Sequence, residues 1–478
     1  TPPARRPPLA WTLTALSLSM LLPSLSVSIA NVGLPAMAVT FGAAFNEIQW
    51  VVIAYLLAVT TLIVGAGRLG DLAGRRRLLL GGIAVFTVAT LLCALAPNLP
   101  LLIAARALQG AGAACMMALT MAFVGETVPK ERTGRVMGLL GTTSAVGTAL
   151  GPSLGGGLIA VFGWRAIFLV GVPLGLLALT LTSRTLPGPA PGPAPASGSV
   201  PARDARPRRF DLAGAVTLAV TLGAYALAVT AEGNAFGPLT AGLLVVAAAG
   251  LAAFVVIERR VSSPLVKLSM LGDPGLAAGL TANALVSTVM MTTLVVGPFH
   301  LAGALGLAPA LVGLVMSAGP AVSALAGVPA GRAADRFGAR AMTVTGLCGV
   351  IGGSVALALT PVAAGVAGYV LPLVVTTAGY ALFQAANNTA VMKDVPADRR
   401  GVVSGLLNLS RNLGLMTGAS VMGAVFAFAA GTGELAAADP AQVARGTQVA
   451  FGAAAVLVAA GLAMILLTTP RSTRPRAS

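Results

Sequence analysis

Arg106 and Gln109 lie three residues apart in an apolar stretch that begins near Pro100. At ~1.5 Å per residue, Arg106 sits about 9 Å along a helix from that end. A charge so placed is costly and by default marks a binding site or pathway; the alternative is a long side chain reaching back to the nearer interface. Arg411 is a second such charge, flanked by Asn408 and Asn412, which can share its hydrogen bonds; a substrate contact and a structural polar knot are both open. Tyr380, Gln384 and Asn387 follow i, i+4, i+7 spacing and share one helical face, with Asn388 beside it. Hydrocarbon cannot satisfy that face, so it is expected to look into a cavity. Asn31, Gln49 and Tyr55, with Trp50 as a possible interfacial anchor, extend the polar and aromatic lining.

The chemistry these residues offer is recognition, not bond making. There is no His–carboxylate cluster, no nucleophile with a partner base and no sensor domain, so neither an enzyme nor a metal site is expected. Cys93, Cys115 and Cys348 are isolated in apolar segments and read as small buried side chains. His300, the single histidine, falls at the outer end of its span, where it either anchors at the interface or titrates.

The elements that must position these residues are membrane spans. With 9% charged and 56% hydrophobic residues and a mean hydropathy of +0.91, a soluble domain is excluded. The net charge of +16 would suit nucleic acid, but the basic residues lie in short loops and form no continuous patch. Apolar runs of ~20 residues, broken by Gly, Pro or charge, give fourteen candidate helices, the first centred near Leu21 and the last near Leu457. With both termini in the cytoplasm, every Lys and Arg except Arg106, Arg165, Arg411 and Arg445 falls on the cytoplasmic side. The chain opens at Thr1, consistent with removal of an initiator Met, and Arg5 and Arg6 precede an apolar run. That run resembles a secretory signal ending at Ser28-Ile29-Ala30, but the many later spans favour an uncleaved first helix.

Two halves are legible in a repeat. Gly67-Arg68-Leu69-Gly70-Asp71-Leu72-Ala73-Gly74 recurs as Gly331-Arg332-Ala333-Ala334-Asp335-Arg336-Phe337-Gly338. Val128 to Arg135 is echoed by Val395 to Val402, then Gly147 by Gly414 and Gly151 by Gly418. Residues 9–183 therefore form one six-helix half and 274–469 the other, with an inserted pair of helices at 212–257. Residues 184–211 form a Pro/Ala/Arg-rich cytoplasmic linker, whose Pro-rich Gly188–Pro195 is expected to be extended and whose arginines can meet anionic lipid. A transporter built of two such halves holds its solute near the midplane between them.

On these motifs the chain resembles the major facilitator superfamily, in its fourteen-span branch of drug:proton antiporters. The loop motif is Gly67 to Arg77; the span-four motif is Leu102, Arg106, Gln109, Gly110 and Gly112. The span-five antiporter motif is Gly147, Gly151, Pro152, Gly155 and Gly156, and Asn31-Val32-Gly33-Leu34-Pro35 is a partial span-one motif. The resemblance implies an all-α integral membrane protein with fourteen helices, arranged six, two and six, in pseudo-two-fold halves. It also implies that Gly67, Asp71, Gly74 and Arg75, with Asp335 and Gly338, belong to a gate closing the cytoplasmic side. Pseudo-symmetry pairs Asp71 with the helix start near Arg399, and Asp335 with the one near Arg132, since a helix N-terminus favours an anion; a merely topology-fixing basic loop is the alternative. Pro152 is expected to kink its helix, with Ala419 in its place in the second half, so that the kink is not symmetric.

One departure stands out. The branch usually carries an Asp in span one before the Asn-Val stretch, and here Ser26 occupies that position; no acidic residue lies at mid-membrane. A buried carboxylate would carry the proton and attract cationic drugs, so a neutral, amphipathic or anionic substrate fits better than a lipophilic cation. The expectation is a monomeric exporter of a small hydrophobic or amphipathic compound in a bacterial plasma membrane, working by alternating access on the proton gradient without a cofactor. The abundance of Ala, Gly and Arg over Lys suggests a GC-rich genome, where such exporters often remove antibiotics. An uncoupled facilitator or nutrient importer is the first rival, and a receptor or intramembrane enzyme a remote one.

Overall fold

A computed structural model describes residues 9–127, 130–186, 212–230, 237–261, 272–393, 395, 400–431 and 439–468. Every regular element among them is helical. Thirteen helices are long and apolar enough to cross a membrane. The expected fifth span differs: it lies in α6 (Lys130–Phe162), where the apolar stretch among the described residues is the shorter Val146–Phe162. The Pro-rich part of the linker lies outside the described residues.

The chain divides into two compact units. The first runs through Leu265 and also takes in Gly306–Pro320; the second holds Val266–Leu305, Ala321–Thr432 and Ala438–Ser478. This boundary differs from the expected half at 274–469. The short helix α12 (Pro309–Met316) belongs with the first unit, because Gly313 packs directly on the backbone of Pro152 and Gly156 in α6.

In the first unit, α1 (Leu9–Phe41) lies along α6, and α3 (Trp50–Ala73) and α4 (Arg75–Leu95) flank α5 (Leu99–Thr127). The short α2 (Phe45–Ile48) leads into α3 through Gln49. Span six is α7 (Ala166–Leu169) and α8 (Gly171–Thr185), which runs slightly past the expected end of the half. Arg76 fastens that end by donating to the carbonyls of Leu186 at 2.9 Å and Ser183 at 2.6 Å. The inserted pair, α9 (Leu212–Thr230) and α10 (Pro238–Arg260), packs on itself and, through α9, on α3. Trp50 Nε1 donates to Thr230 Oγ1 at 3.0 Å, so this tryptophan ties the insert to span two.

In the second unit, α11 (Pro274–Phe299) lies along α16 (Arg400–Thr417) and α18 (Pro440–Thr468). There α13 (Ala318–Phe337) is followed by α14 (Ala339–Leu359), which packs along α15 (Gly365–Met392). Span thirteen ends in α17 (Gly423–Ala430).

The sequence repeat reappears as repeated contacts within each unit. Small residues let transmembrane backbones approach closely. In the first unit Ser28 Oγ donates to Gly147 O at 3.3 Å; in the second Thr288 Oγ1 donates to Gly414 O at 3.0 Å. A Cβ on Gly147 would meet Leu21 O at 2.7 Å, and one on Gly414 would strike Ala284 O. Likewise a Cβ on Gly112 of α5 would meet Phe86 N of α4 at 2.6 Å, and one on Gly379 of α15 would meet Val350 N of α14 at 2.8 Å. Gly74 and Gly338 open α4 and α14 with φ of +92° and +89°, a backbone that side chains disfavour. The expected asymmetry at Pro152 takes an unforeseen form. Where Ala419 replaces it, residues Gly418–Met422 form a single π-helical turn. A proline in one unit and a π turn in the other thus interrupt regular hydrogen bonding at matched positions.

Candidate substrate and coupling site

Arg106 projects from α5 into the interior of the first unit and is fully buried. Its Nε donates to Val51 O at 2.8 Å, and its Nη1 donates to Ser26 Oγ at 2.9 Å and to Gln109 Oε1. Its guanidinium carbon stands 4.4 Å from the centroid of the Tyr55 ring, within cation–π range, and 5.9 Å from that of Phe168. The reach back to an interface is therefore not taken: three helices, α1, α3 and α5, hold this side chain inside. Gln109 Nε2 donates to Thr90 Oγ1 at 2.7 Å, and the Tyr55 hydroxyl donates to Pro23 O at 3.2 Å. Arg106 and Gln109, paired in the sequence, and Tyr55, singled out apart from them, form one network with Ser26. Thr90 and Phe168 complete it. Thr90 gave no sequence signal, being one of many threonines in apolar helices.

Every acceptor around this cation among the described residues is neutral. Among the described residues no carboxylate pairs with Arg106, and its Nη2 has no protein partner. A cavity of about 20 Å³ adjoins the network, lined by Ser26, Thr90 and Gln109 among apolar groups that include Phe86, Ile167 and Phe168. It has room for one water-sized guest, not for a drug-sized molecule.

The other first-unit candidates are also interior. Among the described residues Asn31 donates to Val27 O at 3.0 Å, leaving its Oδ1 without a partner, and the buried amide of Gln49 has no protein partner at either end. The antiporter-motif residues divide by face. Gly147, Gly151 and Gly155 rest on α1, at Leu21, Ser28 and Ile29, whereas Pro152 and Gly156 rest on α12.

In the second unit the expected polar face of α15 is not uniform. Asn387 is buried and donates to Gly279 O of α11 at 3.2 Å, which is a helix-to-helix bond. Gln384 and Tyr380 are half-buried, and Gln384 approaches Asn388 at 3.5 Å. Arg411 and Asn408 are exposed on α16, while Asn412 is buried, so the three do not form one buried knot. Sequence reading passed over Asn283, fully buried in α11, which donates to Leu407 O at 3.0 Å. A polar amide in an apolar run was the available signal.

Of the gating candidates, Gly67 and Gly74 lie at the end of α3, Arg75 is half-buried at the start of α4, and Gly338 begins α14 beside an exposed Asp335. The side chains of Asp71, Arg132 and Arg399 lie outside the described residues, and with them both predicted anion–helix contacts.

Residues 16–419 match the Major Facilitator Superfamily, and the chain belongs to that family. It is 33% identical over 428 residues to Multidrug resistance protein Stp of Mycobacterium tuberculosis, covering 87% of this chain and 75% of that protein. It is 27% identical over 418 residues to Riboflavin transporter RibZ of Clostridioides difficile, covering 87% and 88%. The crystal structure of a bacterial homologue of the human lysosomal transporter Spinster has the same fold. The TM-score is 0.71 at 16% identity, covering 97% of this chain and 98% of that one. The protein is a multi-pass membrane transporter.

Proposed function

We propose that this transporter exports a small hydrophobic or amphipathic compound from a bacterial cell by alternating access, drawing on the proton gradient. In this reading it sits in the plasma membrane as a monomer with both termini in the cytoplasm, and no bond in the substrate is broken. The observation that carries the proposal is the antiporter-motif helix α6. Its Gly147, Gly151 and Gly155 lie on α1 with almost no space for a side chain, in a chain with 33% identity to a protein named for multidrug resistance. The gradient cannot act through a carboxylate at position 26, which is Ser26. Because Arg106 meets only neutral acceptors, neutral and anionic compounds suit the first unit better than lipophilic cations.

The test uses inside-out vesicles with and without an imposed pH gradient, scored for uptake of neutral, anionic and cationic dyes. Gradient-dependent uptake of neutral or anionic dyes is expected. Equal counterflow in both conditions would instead support an uncoupled facilitator, a reading kept open by the likeness to a riboflavin transporter.

A further inference from the structure

The Ser26–Arg106 network has more hydrogen-bond donors than acceptors. Arg106 Nε and Nη1 are spent on Val51 O, Ser26 Oγ and Gln109 Oε1. Nη2, in a side chain with no exposure, meets no protein acceptor. Among the described residues the Ser26 hydroxyl accepts from Arg106 and donates to nothing, so its proton is also unspent. Thr90 receives from Gln109 and gives its own proton to Phe86 O at 2.6 Å. What the site lacks is negative charge.

A buried guanidinium with only neutral partners is held at a cost, and a counter-charge is the usual remedy. A water could accept from one donor but would leave the positive charge uncompensated. The small cavity beside the network is lined by Ser26, Thr90 and Gln109, and its size suits a monatomic ion or one oxygen of a carboxylate.

We infer that the small cavity lined by Ser26, whose hydroxyl accepts from Arg106 at 2.9 Å, is a binding site for a monovalent anion that serves as counter-ion to the buried guanidinium. The anion accepts from the Ser26 hydroxyl and lies within the field of Arg106, giving charge-assisted hydrogen bonds in a low-dielectric interior. Two sources share this chemistry: a free halide, and a carboxylate on a small molecule. The site is a property of the first unit and does not depend on which compound is exported.

Thermal unfolding of the full-length protein in detergent tests the inference without any transport measurement. Sodium chloride is titrated against sodium methanesulfonate, which carries no carboxylate and is a weak hydrogen-bond acceptor, at constant ionic strength, with sodium acetate as a third arm. A ligand at about ten times its dissociation constant should raise Tm by about 1–2 °C in a saturable way. A rise with chloride alone assigns the site to halides, and a rise with chloride and acetate extends it to carboxylates. Ser26→Asp supplies a tethered carboxylate, so this variant should lose the chloride response. Arg106→Gln removes the cation and should lose it too; if that variant does not fold, Ser26→Asp alone carries the comparison. Equal Tm in all three salts would overturn the inference. So would an undiminished chloride response in Ser26→Asp, which would place the effect elsewhere on this basic chain.

Discussion

Arg106 Nη1 donates to Ser26 Oγ at 2.9 Å, so the buried cation of α5 faces a neutral hydroxyl at the position where drug:proton antiporters usually carry an Asp. The pairing geometry is present and the charge is not. One planar guanidinium holds α1, α3 and α5 together through Ser26, Val51 and Gln109.

Arg106→Lys should therefore be disruptive despite keeping the charge. An ammonium on a flexible stem cannot reproduce the fork that reaches Val51 O, Ser26 Oγ and Gln109 Oε1 at once. Each lost charge-assisted bond is worth ~1.5–3 kcal/mol. Thermal unfolding should register a clear drop in Tm, and an unchanged Tm would remove the network from the list of stabilising features.

The glycine seams should discriminate sharply between neighbouring glycines. Gly414→Ala drives a methyl into Ala284 O of α11, whereas Gly157→Ala enters open space. Overpacking a tight contact costs ~1–3 kcal/mol, while Ala for Gly on an open helical face is neutral or stabilising by up to ~1 kcal/mol. Tm of the two variants, measured side by side, should separate accordingly; equal values would argue against the seam.

Gly74 and Gly338 should respond alike, because both hold left-handed backbone at the start of a helix. Alanine at either position should cost ~1–3 kcal/mol. A loss at only one of them, read from unfolding of the single variants, would deny the structural equivalence of the two loops.

Gly313 bears on transport through its contact with Pro152 and Gly156. Gly313→Val separates α12 from α6 and should lower vesicle uptake at least ~10-fold if their close approach belongs to the transport cycle, since ~1.4 kcal/mol of misfit already gives that factor. Gly157→Val is the exposed control. Full uptake by Gly313→Val at normal expression would assign the contact to packing alone.

Much of this architecture was legible in order along the chain. The repeat beginning at Gly67 and Gly331, the pair of helices after Leu212 and the span-four charge at Arg106 are all local patterns, and local patterns survive in sequence. Asn387 shows where legibility stops. Its spacing with Tyr380 and Gln384 is helical and correct, yet it bonds across to Gly279 instead of facing open space. Periodicity tells which residues share a face; it does not tell what that face meets. The π turn at Gly418–Met422 was equally hidden, because alanine at Ala419 carries no signal like that of Pro152.

By itself the sequence determined the helical, membrane-spanning class, an internal repeat of glycine motifs and the presence of an unbalanced arginine in span four. Hydropathy and glycine spacing act over a few turns of one helix, so they can be read without a fold. Only the tertiary structure decided that Arg106 turns inward, that Ser26 receives its hydrogen bond and that α12 joins the first unit through Gly313. Those outcomes depend on which helices come within about 3 Å of each other, and residues as far apart in the chain as Ser26 and Arg106 meet only when their helices pack.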